Sequence, residues 1–262
     1  MLLHQKGVYV RKISIVLGMV FLLAGIAGAS LGVYPSRQEL VLDRGEVFRG
    51  TYTVTNRYEV PITVAASQRE WFISSENKGI PIAEWFSVSP ESAEIAVGAT
   101  KDFYYEVRVP SAAAGSLVAM ISFTAQHPDA TDINLMVSVP VFVIVADANR
   151  VDWDMSSIAA RSASEGLSQI SAKVINKGNV HLRPSGIVIV HKGKMEVMRV
   201  PFIESRPVYP ELDRMIITDG FAQLAPGAYT VTVQVTCYEE TMEKKASLRI
   251  KKDGTMMLKE KK

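Results

Sequence analysis

Few side chains in this sequence combine the type and spacing that chemistry requires. Arg37, in "LGVYPSRQELVLDRGE" at residues 31 to 46, is the best placed to hold an anion. A guanidinium presents two parallel N–H donors that match the two oxygens of a carboxylate. Beyond the first 29 residues, the histidines are His127, His181 and His191. They have no ligand-type spacing to one another or to carboxylates, so surface histidines are expected and a metal site is not. Asp152 and Asp154 flank Trp153, but a calcium ion needs roughly six to eight oxygen ligands, and an isolated D-x-D reads better as a linker or helix cap. Cys237 is the only cysteine, which excludes an intramolecular disulfide. It falls in phase with Tyr229, Val231, Val233 and Val235, on the face of a strand that packs inward, and is expected to be a packed thiol. Trp71, Phe72, Trp85 and Phe86 bracket "ISSENKGIPIAE". They either close one end of a sandwich, the preferred reading, or form an exposed carbohydrate or protein contact surface.

No G-x-S-x-G elbow, phosphate-cradling glycine loop or H-E-x-x-H is present. Without a constellation of convergent polar groups, an enzyme is not expected, nor is any cofactor.

The first 29 residues read as an export signal. Lys6, Arg11 and Lys12 form a basic start, "ISIVLGMVFLLAGIAG" an apolar run, and Ala27-Gly28-Ala29 a small-residue cleavage motif. An uncleaved membrane anchor is the alternative, since the run is near the lower limit for spanning a bilayer. A periplasmic or otherwise exported location follows from the signal. That segment holds three basic residues and no acidic one, so Lys+Arg falls from 29 to 26 beside 27 Asp+Glu after its removal. The mature chain is therefore near neutral, and nucleic acid is not an expected partner.

These side chains must be positioned by strands. "GTYTVTN", "KDFYYEVRVP", "GSLVAMISFTA", "INLMVSVPVFVIV", "LSQISAKVIN", "SGIVIVHKG" and "GAYTVTVQVTCY" alternate apolar and polar residues and are rich in β-branched and aromatic types. No segment sustains a helical period. The expected fold is all-β: two tandem immunoglobulin-like β-sandwiches. The expected boundaries are a signal at 1–29, a first domain at 30–147, a second at 148–250 and a basic, flexible tail at 251–262. An internal echo supports the tandem: Asn56 ends "YTVTN" ahead of Pro61, as Asn176 ends "AKVIN" ahead of Pro184.

The first half resembles the N-terminal domain of periplasmic pilus (fimbrial) chaperones and the related major-sperm-protein-like sandwiches. The resemblance rests on "VYPSRQELVL" as a first strand, "VTNRYEVPITV", "FSVSPESAEIAVGATKDFYYEVRV" and "INLMVSVPVFVIV". It implies that a first-strand arginine and a last-strand lysine hold the carboxylate terminus of a pilus subunit. It also implies that the last strand lends apolar residues to that subunit by β-strand addition. Arg37 takes the arginine's place. The lysine is not matched, and Pro140 stands near its position. Leu135, Val137, Val139, Val141 and Val143 supply an apolar stripe, and with Arg37 they are the expected partner-binding residues. The expected partner is a protein, a pilus or surface-structure subunit. Two alternatives stand beside this: a structural or adhesive envelope module that shares the fold, and a carbohydrate-binding module using the Trp71–Phe86 region.

Overall fold

The computed structural model describes residues 30–126, 134–162, 166–203 and 206–260. The export signal and His127 lie outside the described residues.

Alternating apolar residues build two sandwiches in tandem, antiparallel except where β2 joins β9. In the first, one sheet runs β1 (Leu31–Tyr34), β3 (Val47–Asn56), β7 (Thr100–Arg108), β5 (Phe86–Ser89). The facing sheet runs β2 (Gln38–Leu42), β9 (Leu135–Val145), β8 (Ser116–Gln126), β4 (Ile62–Phe72), β6 (Ser92–Ile95). Tyr52, Phe103, Phe123 and Tyr105 interlock between them, with Phe103 edge-on to Phe123 at 5.2 Å.

In the second sandwich, β10 (Trp153–Ser162), β11 (Leu167–Asn176) and β14 (Asp213–Ile217) form one sheet, with the short β15 (Phe221–Ala222) also on β11. The other runs β13 (Met195–Pro201), β12 (Ser185–Lys192), β16 (Gly227–Cys237), β17 (Glu240–Ile250), β18 (Met256–Glu260). Tyr229, Val231, Val233, Val235 and Cys237 face its core, as their alternation requires, and burial pushes the Cys237 thiol up to about 12. The one α-helix among the described residues, α1 (Ile82–Trp85), is a single turn.

The echo between Asn56 and Asn176 has a shared physical cause. Each is buried at the end of its strand. Asn56 donates to Val60 O, 2.9 Å, and accepts from Tyr58 N–H, 2.8 Å; Asn176 donates to Val180 O, 2.7 Å, and accepts from Gly178 N–H, 3.0 Å. Each also reaches a distant segment, Ile95 O at 3.0 Å and Val208 O at 2.9 Å. Each side-chain amide thus closes a turn and ties it to a distant loop, satisfying backbone groups that would otherwise be buried without partners.

Two expectations are corrected. "VYPSRQELVL" is not one strand: β1 pairs with β3 in one sheet, whereas β2 pairs in parallel with β9 in the other. Pro35 sits at the switch, where its missing N–H interrupts a ladder. The C-terminal segment is not a loose tail: β18 pairs with β17 from Ala246↔Glu260 to Ile250↔Met256. Glu260 also accepts the backbone N–H of Ile158 at 2.8 Å and pairs with Lys244, fastening the strand across the sandwich.

Candidate functional site: an arginine-lined cleft between the sandwiches

The sheet switch at Pro35 leaves Arg37 immediately ahead of β2, at the edge that faces the second sandwich. Its Nε lies 3.1 Å from Glu39 Oε1. Arg183, in the connection leading to β12, places its own Nε on that same oxygen. One carboxylate oxygen is thus ion-paired to guanidiniums from both sandwiches, the Arg183 Nε contact being close in distance but outside hydrogen-bond geometry. Arg183 is further fixed by the Phe142 ring, whose centroid lies 4.7 Å from its Cζ.

These residues line a cleft of about 530 Å³, into which Arg206 and Arg214 also project. Its aromatic floor is Phe142 and Tyr209, with ring centroids 6.5 Å apart. Arg214 Nε donates to Pro207 O at 3.3 Å, which orients its side chain along the wall. Four arginines thus line the cleft, with Glu39 paired to Arg37 and Arg183 beside it. Low-dielectric walls concentrate such a field on whatever anion enters.

A rigid joint beneath the cleft holds the two walls together. His181 is buried rather than at the surface as expected, because Phe142 stacks on its ring at 4.6 Å. Ser116 Oγ accepts the His181 backbone N–H at 3.0 Å and lies 2.9 Å from Nδ1. The hydroxyl and Nδ1 share this hydrogen bond in either tautomer of the neutral ring. Burial, reinforced by Arg183 and Arg37, drives the imidazole pKa down to about 3. Gly115 makes the close approach possible. It adopts φ +63°, and a Cβ there would overlap the backbone carbonyl of Asn179. Asn179 bridges the halves: its O accepts from Ser116 N–H at 2.9 Å, and its Nδ2 donates to Glu76 at 2.8 Å.

The aromatic quartet divides. Trp85 and Phe86 are buried in the first core, in line with the preferred reading. Trp71 and Phe72 instead meet the second sandwich. Phe72 stacks on Tyr209 at 4.5 Å and 11°, and Trp71 Nε1 donates to the Tyr209 hydroxyl at 2.9 Å. Trp71 stays partly exposed and lines the cleft.

The apolar stripe of β9 faces inward. Val139, Val141 and Val143 are buried in the first core, Val137 packs against it, and Leu135 is exposed at the strand's start. Backbone polarity follows from the ladder. Val145 N–H bonds Gly115 O at 2.8 Å, and the β8–β9 register runs unbroken from Ser116↔Ile144 to Ala125↔Leu135. In an antiparallel pair this parity turns every odd-numbered N–H of β9 toward β8 and every even-numbered one outward. β2 covers the outer edge only opposite residues 141 to 145. The outer edge from Leu135 to Pro140 has no paired strand among the described residues, and the missing Pro140 N–H belongs to that edge.

Arg183, Arg206 and Arg214 were not singled out from the sequence. The local signal available was the dipeptide Arg-Pro, at Arg183-Pro184 and Arg206-Pro207. A following proline holds the arginine in extended backbone within a loop. That they meet Arg37 is a property of the fold alone.

Among the described residues, no group of three or more His, Cys, Asp or Glu is arranged to hold a metal ion. No helix among them is long and apolar enough to cross a membrane.

No family model and no curated protein matches this sequence. Among solved structures, the chain is similar to the YadV chaperone, at 12% identity and TM-score 0.49, over 81% of this chain and 98% of that one. It is similar to the class 5 fimbriae chaperone CfaA, at 15% identity and TM-score 0.48, over 89% and 99%. A third likeness is to a Salmonella enterica complex of the SafA pilin with the SafB chaperone, at 14% identity and TM-score 0.45, over 82% and 95%.

Proposed function

We propose that this chain is an exported, non-enzymatic, chaperone-like protein of the bacterial envelope that binds a subunit of a pilus or other surface structure. The observation that carries this reading is the Glu39 carboxylate, gripped at one oxygen by Arg37 and Arg183 from opposite walls of the cleft. Glu39 occupies the place of a partner's C-terminal carboxylate. Its ion pair with Arg37 is about half exposed and so contributes only about 0–1 kcal/mol. An incoming terminus exchanges for it at little cost. The lysine that the pilus-chaperone pattern calls for, absent from β9, is replaced in this reading by Arg183. Strand addition then uses the open outer edge of β9, where Met136 and Ser138 turn N–H groups outward.

Purification from the periplasm tests the reading. One unstable partner recovered in equal amount, and lost with Arg37→Ala or Arg183→Ala, supports it. A protein that comes out alone, unaffected by either change, removes it. A structural envelope module is the second reading, favoured by the burial of Val139, Val141 and Val143 in the protein's own core. It expects no unstable partner.

A further inference from the structure

We infer that Glu211 is a positioning residue for the cleft: its carboxylate latches the second sandwich to the first and so holds Tyr209 and Trp71, two of the cleft's lining residues, against each other. This role concerns the shape of the wall and holds whatever the cleft binds.

The backbone at Glu211 shows that its side chain is needed there. Leu212 N–H donates to Tyr209 O at 3.2 Å, with Pro210 second in the turn and Glu211 third at φ +66°. That is the pattern of a type II turn, whose third residue is ordinarily glycine or asparagine. A glutamate in this position is strained, and its side chain finds its partner outside the second sandwich. The Ser75 backbone N–H donates to Glu211 Oε1 at 3.1 Å, and the Ser75 hydroxyl donates to the same oxygen. These donors hold the Glu211 carboxyl below the usual carboxylate range.

Both ends of the latch are bolted to their own sandwich by a buried asparagine. Asn77 Nδ2 donates to Ala114 O at 2.8 Å and to Ser116 O at 3.0 Å, and its Oδ1 accepts the Ala114 N–H at 3.0 Å. The short turn Ser75–Asn77 therefore moves with the first sandwich. Asn176 Nδ2 donates to Val208 O and its backbone N–H to Leu212 O, both at 2.9 Å, so the turn carrying Glu211 moves with the second. Between these fixed ends lie Phe72, stacked on Tyr209, and Trp71, bonded to the Tyr209 hydroxyl. The Ser75–Glu211 contact itself is exposed, so water can take its place. Such a latch sets a geometry rather than a fold.

Glu211→Gly separates the two roles, because it relaxes the turn while deleting the latch. The unfolding midpoint of the full mature chain should hold or rise. The Trp71 indole N–H, assigned in NMR spectra by its loss in Trp71→Phe, should shift and exchange with water about tenfold faster, the equivalent of one hydrogen bond. Glu211→Gln keeps an acceptor oxygen for Ser75 and should restore most of the original signal. Ser75→Pro removes both donors from the other side, at the first position of a helical turn where proline is tolerated. It should reproduce the glycine variant, and it decides the case if Glu211→Gly unfolds. An indole signal unchanged in both variants makes Glu211 a turn residue alone and overturns the inference. A change seen in Glu211→Gly but not in Ser75→Pro places its cause inside the turn and overturns it too. So does an equal change in Glu211→Gln, since charge rather than the Ser75 bond would then be responsible.

Discussion

The odd and even residues of β9 share one strand and do opposite work. Val137, Val139, Val141, Val143 and Val145 point into the first sandwich, and their N–H groups close the ladder to β8. Phe142 and Pro140 point out and line the cleft. Met136 and Ser138 are exposed. A period-two pattern reveals that a strand has an apolar face, and the longest apolar stripe marks stability before it marks binding. The cleft-facing set is the shorter, mixed one on the other parity, where an aromatic ring, a proline and a small polar residue follow one another.

The largest way to break the comparison is a charge on the inward parity. Val143→Asp buries a carboxylate in a fully apolar site and is expected to cost about 4 kcal/mol or more, enough to unfold the first sandwich. Urea unfolding followed by near-ultraviolet circular dichroism measures it. A stable Val143→Asp would mean that this side of β9 is not core.

The joint comes next, since the outward parity depends on it for a wall to face. Gly115→Ala adds a Cβ against the Asn179 carbonyl at a backbone angle that disfavours any side chain. The expected loss is roughly 2–3 kcal/mol, or a separation of the sandwiches visible as increased radius in small-angle scattering. A variant with unchanged stability and unchanged radius would show that the close approach is dispensable.

His181 offers a comparable effect through pH. Its folded pKa of about 3 lies below the ordinary value of 6.5, so the unfolded chain binds a proton that the folded chain refuses between those limits. The contribution is complete above about pH 6.5 and is lost as pH falls toward 3, at about 1.4 kcal/mol per pH unit. Between pH 6.5 and 5 that amounts to roughly 2 kcal/mol. Stability curves for the protein and for His181→Gln should differ by this slope; parallel curves would place the histidine in water.

How much of this was legible in the sequence depends on whether the cause was local. Strand alternation, the inward Cys237 and the matched Asn56 and Asn176 turns each arise within a few residues, and all could be read. β18 was hidden because Lys259 and Glu260 sit among its residues, as suits a solvent-facing edge strand, and they imitate a solvated tail. His181 sits on a short loop that sequence places at the surface, yet a ring from β9 covers it. The cleft was least legible. Its arginines come from four separated positions, and only the docking of two sandwiches brings them together. Arg37 alone had a sequence context, and one guanidinium does not define a site.

The smallest expected effect on stability is also the sharpest test of parity. Ser138→Pro removes an N–H that points to the open edge, where no described strand receives it, together with the side-chain hydrogen bond to the Ser122 hydroxyl at 2.7 Å. The neighbouring Pro140 shows that the outer parity accommodates the ring two residues on. Stability should change by no more than about 1 kcal/mol, while affinity for an added strand falls by the one hydrogen bond removed, roughly tenfold at most. Val139→Pro makes the same chemical change one residue away. It deletes an inward ladder bond opposite Ile121 and disrupts a buried position, so it should cost about 3 kcal/mol or more. Denaturation midpoints that rank the two in this order fix the outer edge as the free one. If Ser138→Pro proved as damaging as Val139→Pro, the edge from Leu135 to Pro140 would already be occupied in solution, and strand addition there would have no place to occur.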